Sequence, residues 1–140
     1  MNDDLLRSTR IVSYFLWEHT GSDRALGLWY CAEDLACYFE QMGILDVEKV
    51  DEFRKLGVND PSYVHFMRHI AFRIYLYTGC DDADTNWYTA ERLVKINEWA
   101  TALVETARIY RNGKADRDFI AGFRSENVRA FYDEQTSKDS

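Results

Sequence analysis

The strongest constraint on this chain is that it matches itself. Thr20–Leu35, TGSDRALGLWYCAEDL, recurs 58 residues later as Thr78–Leu93, TGCDDADTNWYTAERL. Eight of sixteen positions are identical without a gap: Thr20/Thr78, Gly21/Gly79, Asp23/Asp81, Trp29/Trp87, Tyr30/Tyr88, Ala32/Ala90, Glu33/Glu91 and Leu35/Leu93. Unrelated segments of this length share about one. The same offset aligns Arg10 with Arg68, and Val12, Tyr14 and Leu16 with Ile70, Phe72 and Ile74. Downstream it aligns Glu40 with Glu98. The pattern is a tandem duplication of a unit of about 40 residues, joined by a linker.

Each unit reads as a helical hairpin. The first helices are expected over about 4–19 and 62–77. They carry apolar residues around most of their circumference, IVSYFLW in one and IAFRIYLY in the other, which predicts central, heavily buried helices. Gly21 and Gly79 follow at once, where a left-handed residue commonly ends a helix. Asp23 in one turn, and Asp84 or Thr85 in the other, can cap the next helix through its free N–H groups. The second helices are expected over about 24–42 and 86–111. In the latter, Leu93, Ile96, Ala100, Leu103, Ala107 and Tyr110 recur at the alternating three- and four-residue spacing of a bundle seam.

Between the units, DVEKVDEFRKLG (46–57) reads as a short amphipathic helix with Val47, Val50 and Phe53 on its apolar face. Asn59 or Asp60 then caps the next helix, with Pro61 at its first position. Beyond Asn112-Gly113 a last helix is expected over about 115–135. The prediction is one all-α domain over 1–140, a bundle of five to six helices built from two pseudo-symmetric hairpins, unit one at about 4–42 and unit two at about 62–111. One proline in the whole chain fits long uninterrupted helices.

The shared residues suggest roles. Trp29 and Trp87 sit early in the second helices, where the ring can fold over the turn and lock the hairpin. Tyr30 and Tyr88 follow them. Glu33 and Glu91 lie four residues after each Trp and share its helix face. Arg10 and Arg68 fall at a comparable height on the first helices, so Arg10–Glu33 and Arg68–Glu91 pairs are expected to fix the register of each hairpin.

Ile70–Leu93, IAFRIYLYTGCDDADTNWYTAERL, resembles a small bacterial domain family of unknown function. Its pattern is a helix with Ala-Tyr-like residues, a Gly turn and then Trp-x-x-Ala-Glu. Ala71, Phe72, Gly79, Trp87, Ala90 and Glu91 carry the likeness, with Phe72 in place of the family's Tyr. Unit one matches more loosely, with Ser13 and Tyr14 at the first two places. The resemblance implies the hairpin and supplies no activity.

Chemistry is sparse in the sequence. GxSxG, P-loop and GxGxxG patterns are absent, and so is HEXXH; no cysteine has an obvious base partner. His65 and His69 stand at i, i+4, a spacing that can present two imidazoles to one metal, but no third ligand is evident and a surface or capping role is expected. Neither a catalytic residue nor a cofactor or metal ligand is assigned. Cys31, Cys37 and Cys80 include no CxxC and read as reduced thiols of a cytoplasmic protein. No apolar run reaches the roughly 18–20 residues a membrane span needs, and the N-terminus lacks the apolar core of a signal peptide.

Charge points to a class of partner. The net charge of −7 resides in residues 1–101, which hold 17 acidic and 10 basic side chains. Such a body repels nucleic acid and suits a basic protein surface. Asp46, Glu48, Asp51, Glu52, Asp81, Asp82 and Asp84 are the candidate acidic docking face. Arg108, Arg111, Lys114, Arg117, Arg124 and Arg129 could form a local basic strip, which would pair within the chain or join a homodimer.

The function expected is a non-catalytic protein-interaction module: an adaptor, regulator or inhibitor. One version is a phage or mobile-element inhibitor that occupies the basic groove of a nucleic-acid-binding defence enzyme such as a CRISPR effector. The alternatives are a small-molecule or cofactor binder, with a cleft near Trp29, Trp87, Glu33 and Glu91, and a self-assembling structural protein.

Overall fold

The computed structural model of the chain describes residues 3–112. The expected helix at about 115–135 lies outside them, as do Lys114, Arg117, Arg124 and Arg129. The described residues form six helices: α1 (Asp3–Thr20), α2 (Ala25–Gln41), α3 (Val47–Leu56), α4 (Pro61–Thr78), α5 (Ala83–Lys95) and α6 (Asn97–Asn112). The architecture is an all-α bundle.

Two hairpins, α1–α2 and α4–α5, make its centre. α2 packs on α4, and α5 packs back on α1, so the four helices close a ring with α1 diagonal to α4 and α2 diagonal to α5. Both turns lie at the same end of the ring, where Ser22 Oγ of the first donates to the Thr78 carbonyl of the second at 3.0 Å. This is the arrangement of two copies related by a pseudo-twofold axis along the bundle. Burial follows the repeat. Val12/Ile70, Leu16/Ile74, Cys31/Thr89, Ala32/Ala90, Leu35/Leu93 and Ala36/Val94 are buried in both copies. Each Val, Leu or Ile side chain among them contributes about 1.5–3 kcal/mol when fully removed from water.

The repeated Thr-Gly step has a local cause. Thr20 Oγ1 donates to Leu16 O at 2.7 Å and accepts from Ser22 N at 3.3 Å. Thr78 Oγ1 does the same with Ile74 O at 2.6 Å and Cys80 N at 3.2 Å. One hydroxyl thus caps a helix-end carbonyl and holds the departing chain. Gly21 (φ 67) and Gly79 (φ 72) adopt the left-handed conformation, and their N–H groups close on Trp17 O and Tyr75 O at 2.9 and 3.0 Å.

The helix starts differ from expectation. α5 begins at Ala83, capped by Asp82, whose carboxylate accepts from Asp84 N and Thr85 N, so neither Asp84 nor Thr85 is the cap. α2 has Arg24 at the equivalent place, without a side-chain cap; Ser22 Oγ accepts its N–H, and Asp23 does not cap. The Arg24 guanidinium instead lies over Gly79, at the carbonyl end of α4, where the helix dipole favours a cation. Asp46 and Asp60 cap α3 and α4 at 2.8 Å.

The single helix expected over 86–111 is two. Ile96 is extended (φ −91, ψ 117). Its N–H closes α5 on Arg92 O, and its carbonyl accepts from Ala100 N–H, each at 3.0 Å, opening α6. The bend lets one seam serve two surfaces: Leu93 stays on the α4–α5 hairpin, while Ala100, Leu103 and Ala107 are buried where α6 lies across α1 and α2. α3 closes one end of α4, with Val50 buried and Phe53 stacked on Phe66 at 4.2 Å.

Candidate interaction surface

The repeat also matches on its outside. α1 and α4 are not buried all round, contrary to the expectation from their apolar runs. Along α1, Arg7, Arg10, Tyr14 and Trp17 form an exposed stripe; along α4 the stripe is His65, Arg68, Phe72 and Tyr75. Each residue of one is offset by 58 from its counterpart. The 3-4-3 spacing puts all four on one helix face. The aromatics keep about half their surface in solvent: Tyr14 56%, Trp17 48%, Phe72 58% and Tyr75 49%. Ring centroids are 5.5 Å apart in the first pair and 6.4 Å in the second. Beside the stripes two positions change character: Leu76, 54% exposed, stands where α1 has Glu18, and Asp82 stands where unit one has Arg24. Tyr30 and Tyr88 are likewise exposed in both copies, at 41% and 55%. Outward aromatics were masked in the sequence because a helix rich in them everywhere gives no sign of which face is covered.

The expected Arg68–Glu91 pair does not form. Glu33 is buried on α2 and accepts a short hydrogen bond from Tyr110 Oη of α6, while Arg10 stays on the exposed side of α1. Glu91 pairs with Lys95 on its own helix at 2.9 Å, and Arg68 is exposed on α4. The asymmetry has one source: α6 covers α2, while α5 packs less closely on α6. Trp29 is buried beside Ala25 with Leu6 against it, and Trp87 is half-buried against the main core.

The candidate acidic side chains fall into two groups. Asp46, Glu48, Asp51 and Glu52 belong to α3, beside Phe66; Asp81, Asp82 and Asp84 surround the turn after Thr78, about 18 Å further along α4 at 1.5 Å per residue. Several serve the fold locally: Asp46 and Asp82 are caps, Asp51 pairs with Arg54 at 2.6 Å, and Glu52 with Lys49 at 3.1 Å.

One polar cluster escaped the sequence reading. Arg73 of α4 places its guanidinium 4.3 Å from the centre of the Tyr38 ring and 3.5 Å from Asp34 Oδ2. His69 stacks on Tyr38 at 5.4 Å and meets His65 edge-on at 4.3 Å. Partial burial, then the neighbouring His65 and Arg73 charges, lower the His69 pKa. Burial, reinforced by the Asp34 charge, pushes the Cys31 thiol well above its ordinary range. Burial first and Asp34 second raise the Tyr77 phenol. Among the described residues, no group of three or more His, Cys, Asp or Glu side chains is placed to hold a metal ion. No helix there is long and apolar enough to cross a membrane.

No protein-family model, curated protein or solved structure matches this chain.

Proposed function

We propose that this chain is a protein-interaction module that works through the outer faces of α1 and α4. The supporting observation is the matched stripe: an Arg or His position and then an exposed arginine, followed by two exposed aromatic residues, present in both copies at the same spacing. Contiguous exposed aromatic surface favours association, and Tyr, Trp and Arg are the side chains that most often anchor protein interfaces. The narrower reading, a phage or mobile-element inhibitor in the basic groove of a defence enzyme such as a CRISPR effector, draws on the net charge of −7. Separation of the acidic groups along α4 gives that reading less support than the stripes give the broader one.

Site-specific photo-crosslinking distinguishes the surfaces. A crosslinking amino acid at position 17 or 75 should capture a protein, and one at position 48 or 84 should not. Capture from 48 and 84 alone would favour the acidic surface. If no position captured a protein, the interaction reading would fail.

A further inference from the structure

We infer that the α4 stripe is a self-complementary surface whose partner is α4 of a second copy of this chain. The inference rests on the reading of the stripes as interaction surfaces and names the occupant of one of them. On the exposed side of α4 a cationic side chain, Arg68, precedes apolar ones at Phe72, Tyr75 and Leu76, and acidic ones follow at Asp81 and Asp82 in the turn beyond the helix end at Thr78. A twofold axis across the helix between positions 73 and 74 pairs each residue with its mirror in number. Phe72 then meets Tyr75 of the second copy, and Arg68 falls opposite Gly79, beside the turn that carries Asp81 and Asp82. Aromatic meets aromatic at the centre, and opposite charges meet at both ends. That is the requirement of an isologous contact, in which one patch must complement itself.

The α1 stripe lacks this complementarity. Glu18 replaces the apolar Leu76, and Arg24 replaces Asp82, so the same operation would set Arg7 against a second cation. The repeat thus supplies an internal control: Tyr14 and Trp17 stand at the same spacing and Asp23 keeps the place of Asp81, but a cation takes the place of Asp82 and an acid that of Leu76. The α4 contact is narrow, one helix face, and falls below the roughly 800 Å² per partner of a standard interface. Its dimer is therefore weak, with dissociation in the micromolar range or above.

Sedimentation velocity over a concentration series from about 1 to 500 μM tests it, the upper range chosen to exceed the affinity of so small a contact. The wild-type chain should shift from monomer to dimer. Tyr75→Glu should remain monomeric throughout, whereas Trp17→Glu should dimerise like the wild type. Arg68→Glu and Asp81→Lys should each weaken the dimer at least tenfold, and the double variant should recover most of the loss. Circular dichroism establishes that each variant is folded, and Tyr75→Ser replaces Tyr75→Glu if the latter is not. A wild type that stays monomeric throughout overturns the inference, as does a dimer insensitive to position 75 or a charge swap without recovery. Monomeric protein that still crosslinks to a different protein from position 75 overturns self-pairing alone; absence of any capture overturns the broader reading as well.

Discussion

Arg92 Nε donates to His19 Nε2 at 3.0 Å, joining α5 to the end of α1. His19 Nδ1–H turns back to Phe15 O at 3.0 Å, which leaves Nε2 as the acceptor. One repeat away, the same two positions are Asp34 and Tyr77, and Asp34 lies close enough to raise the Tyr77 phenol. The duplicated interface keeps a polar pair at each crossing but changes its chemistry, cationic at one and anionic at the other. A double-mutant cycle of His19→Ala and Arg92→Ala should give a coupling of about 0.5–1.5 kcal/mol, the range of a net intramolecular hydrogen bond. A coupling of zero would mean that the contact does not join the hairpins.

The two repeated glutamates should respond differently to mutation. Tyr110→Phe removes a donor from the buried Glu33 carboxylate and should cost about 1–3 kcal/mol in urea unfolding. Glu91→Gln removes only a partly exposed i, i+4 pair with Lys95 and should cost about 0.3–0.5 kcal/mol. Equal losses would contradict the asymmetric cover provided by α6.

Glycine substitutions separate close approach from backbone conformation. A Cβ on Gly27 would collide with the Tyr77 carbonyl, a backbone atom that cannot swing aside. Gly27→Ala should push α2 from α4 and cost about 1–3 kcal/mol or more. Gly21→Ala has open space around it and bears only the left-handed penalty, about 1–2 kcal/mol. Thermal unfolding that ranked Gly21→Ala as much the worse would place the α2–α4 contact elsewhere.

Thiol chemistry reports on the core. Cys31 is buried and its pKa is raised, so the reactive thiolate is scarce and shielded. Cys37 and Cys80 are only partly buried. In the native protein a thiol reagent should modify Cys37 and Cys80 well before Cys31, which should react only on unfolding. Early modification of Cys31 would show that α2 does not seat against α4.

Acidification should act through His69. Its pKa is lowered in the fold, so the unfolded chain binds the proton more readily. Stability therefore rises with pH from the lowered folded value up to about 6.5, the unfolded value, and this contribution is complete above it. The effect is small because the site is partly solvated. His69→Gln should flatten this part of a melting-temperature profile between about pH 5 and 7. An unchanged slope would remove His69 from the account.

Much of the architecture was legible because the repeat states it twice. Thr-Gly marks both turns, and Pro61 after Asp60 marks the start of α4. The break at Ile96 was not legible: neither glycine nor proline stands there, and the apolar seam runs through it with unbroken spacing. Its cause is tertiary, since α5 and α6 cover different helices. The Arg68–Glu91 pair failed for a related reason. Matching heights on two helices do not specify the facing sides, and the cover by α6 decided where Glu33 would point. The aromatic stripes were visible as Tyr14 and Phe72 in the alignment, but their exposure depends on which faces the ring of helices turns inward.

Hydroxyl-radical footprinting of the dilute monomer tests most directly whether two copies fold with the same faces inside and out. Tyr14, Trp17, Phe72 and Tyr75 should all be modified readily, with Trp29, Phe15 and Phe66 protected. Protection of the four stripe aromatics, or a Trp29 as reactive as Trp17, would contradict the account.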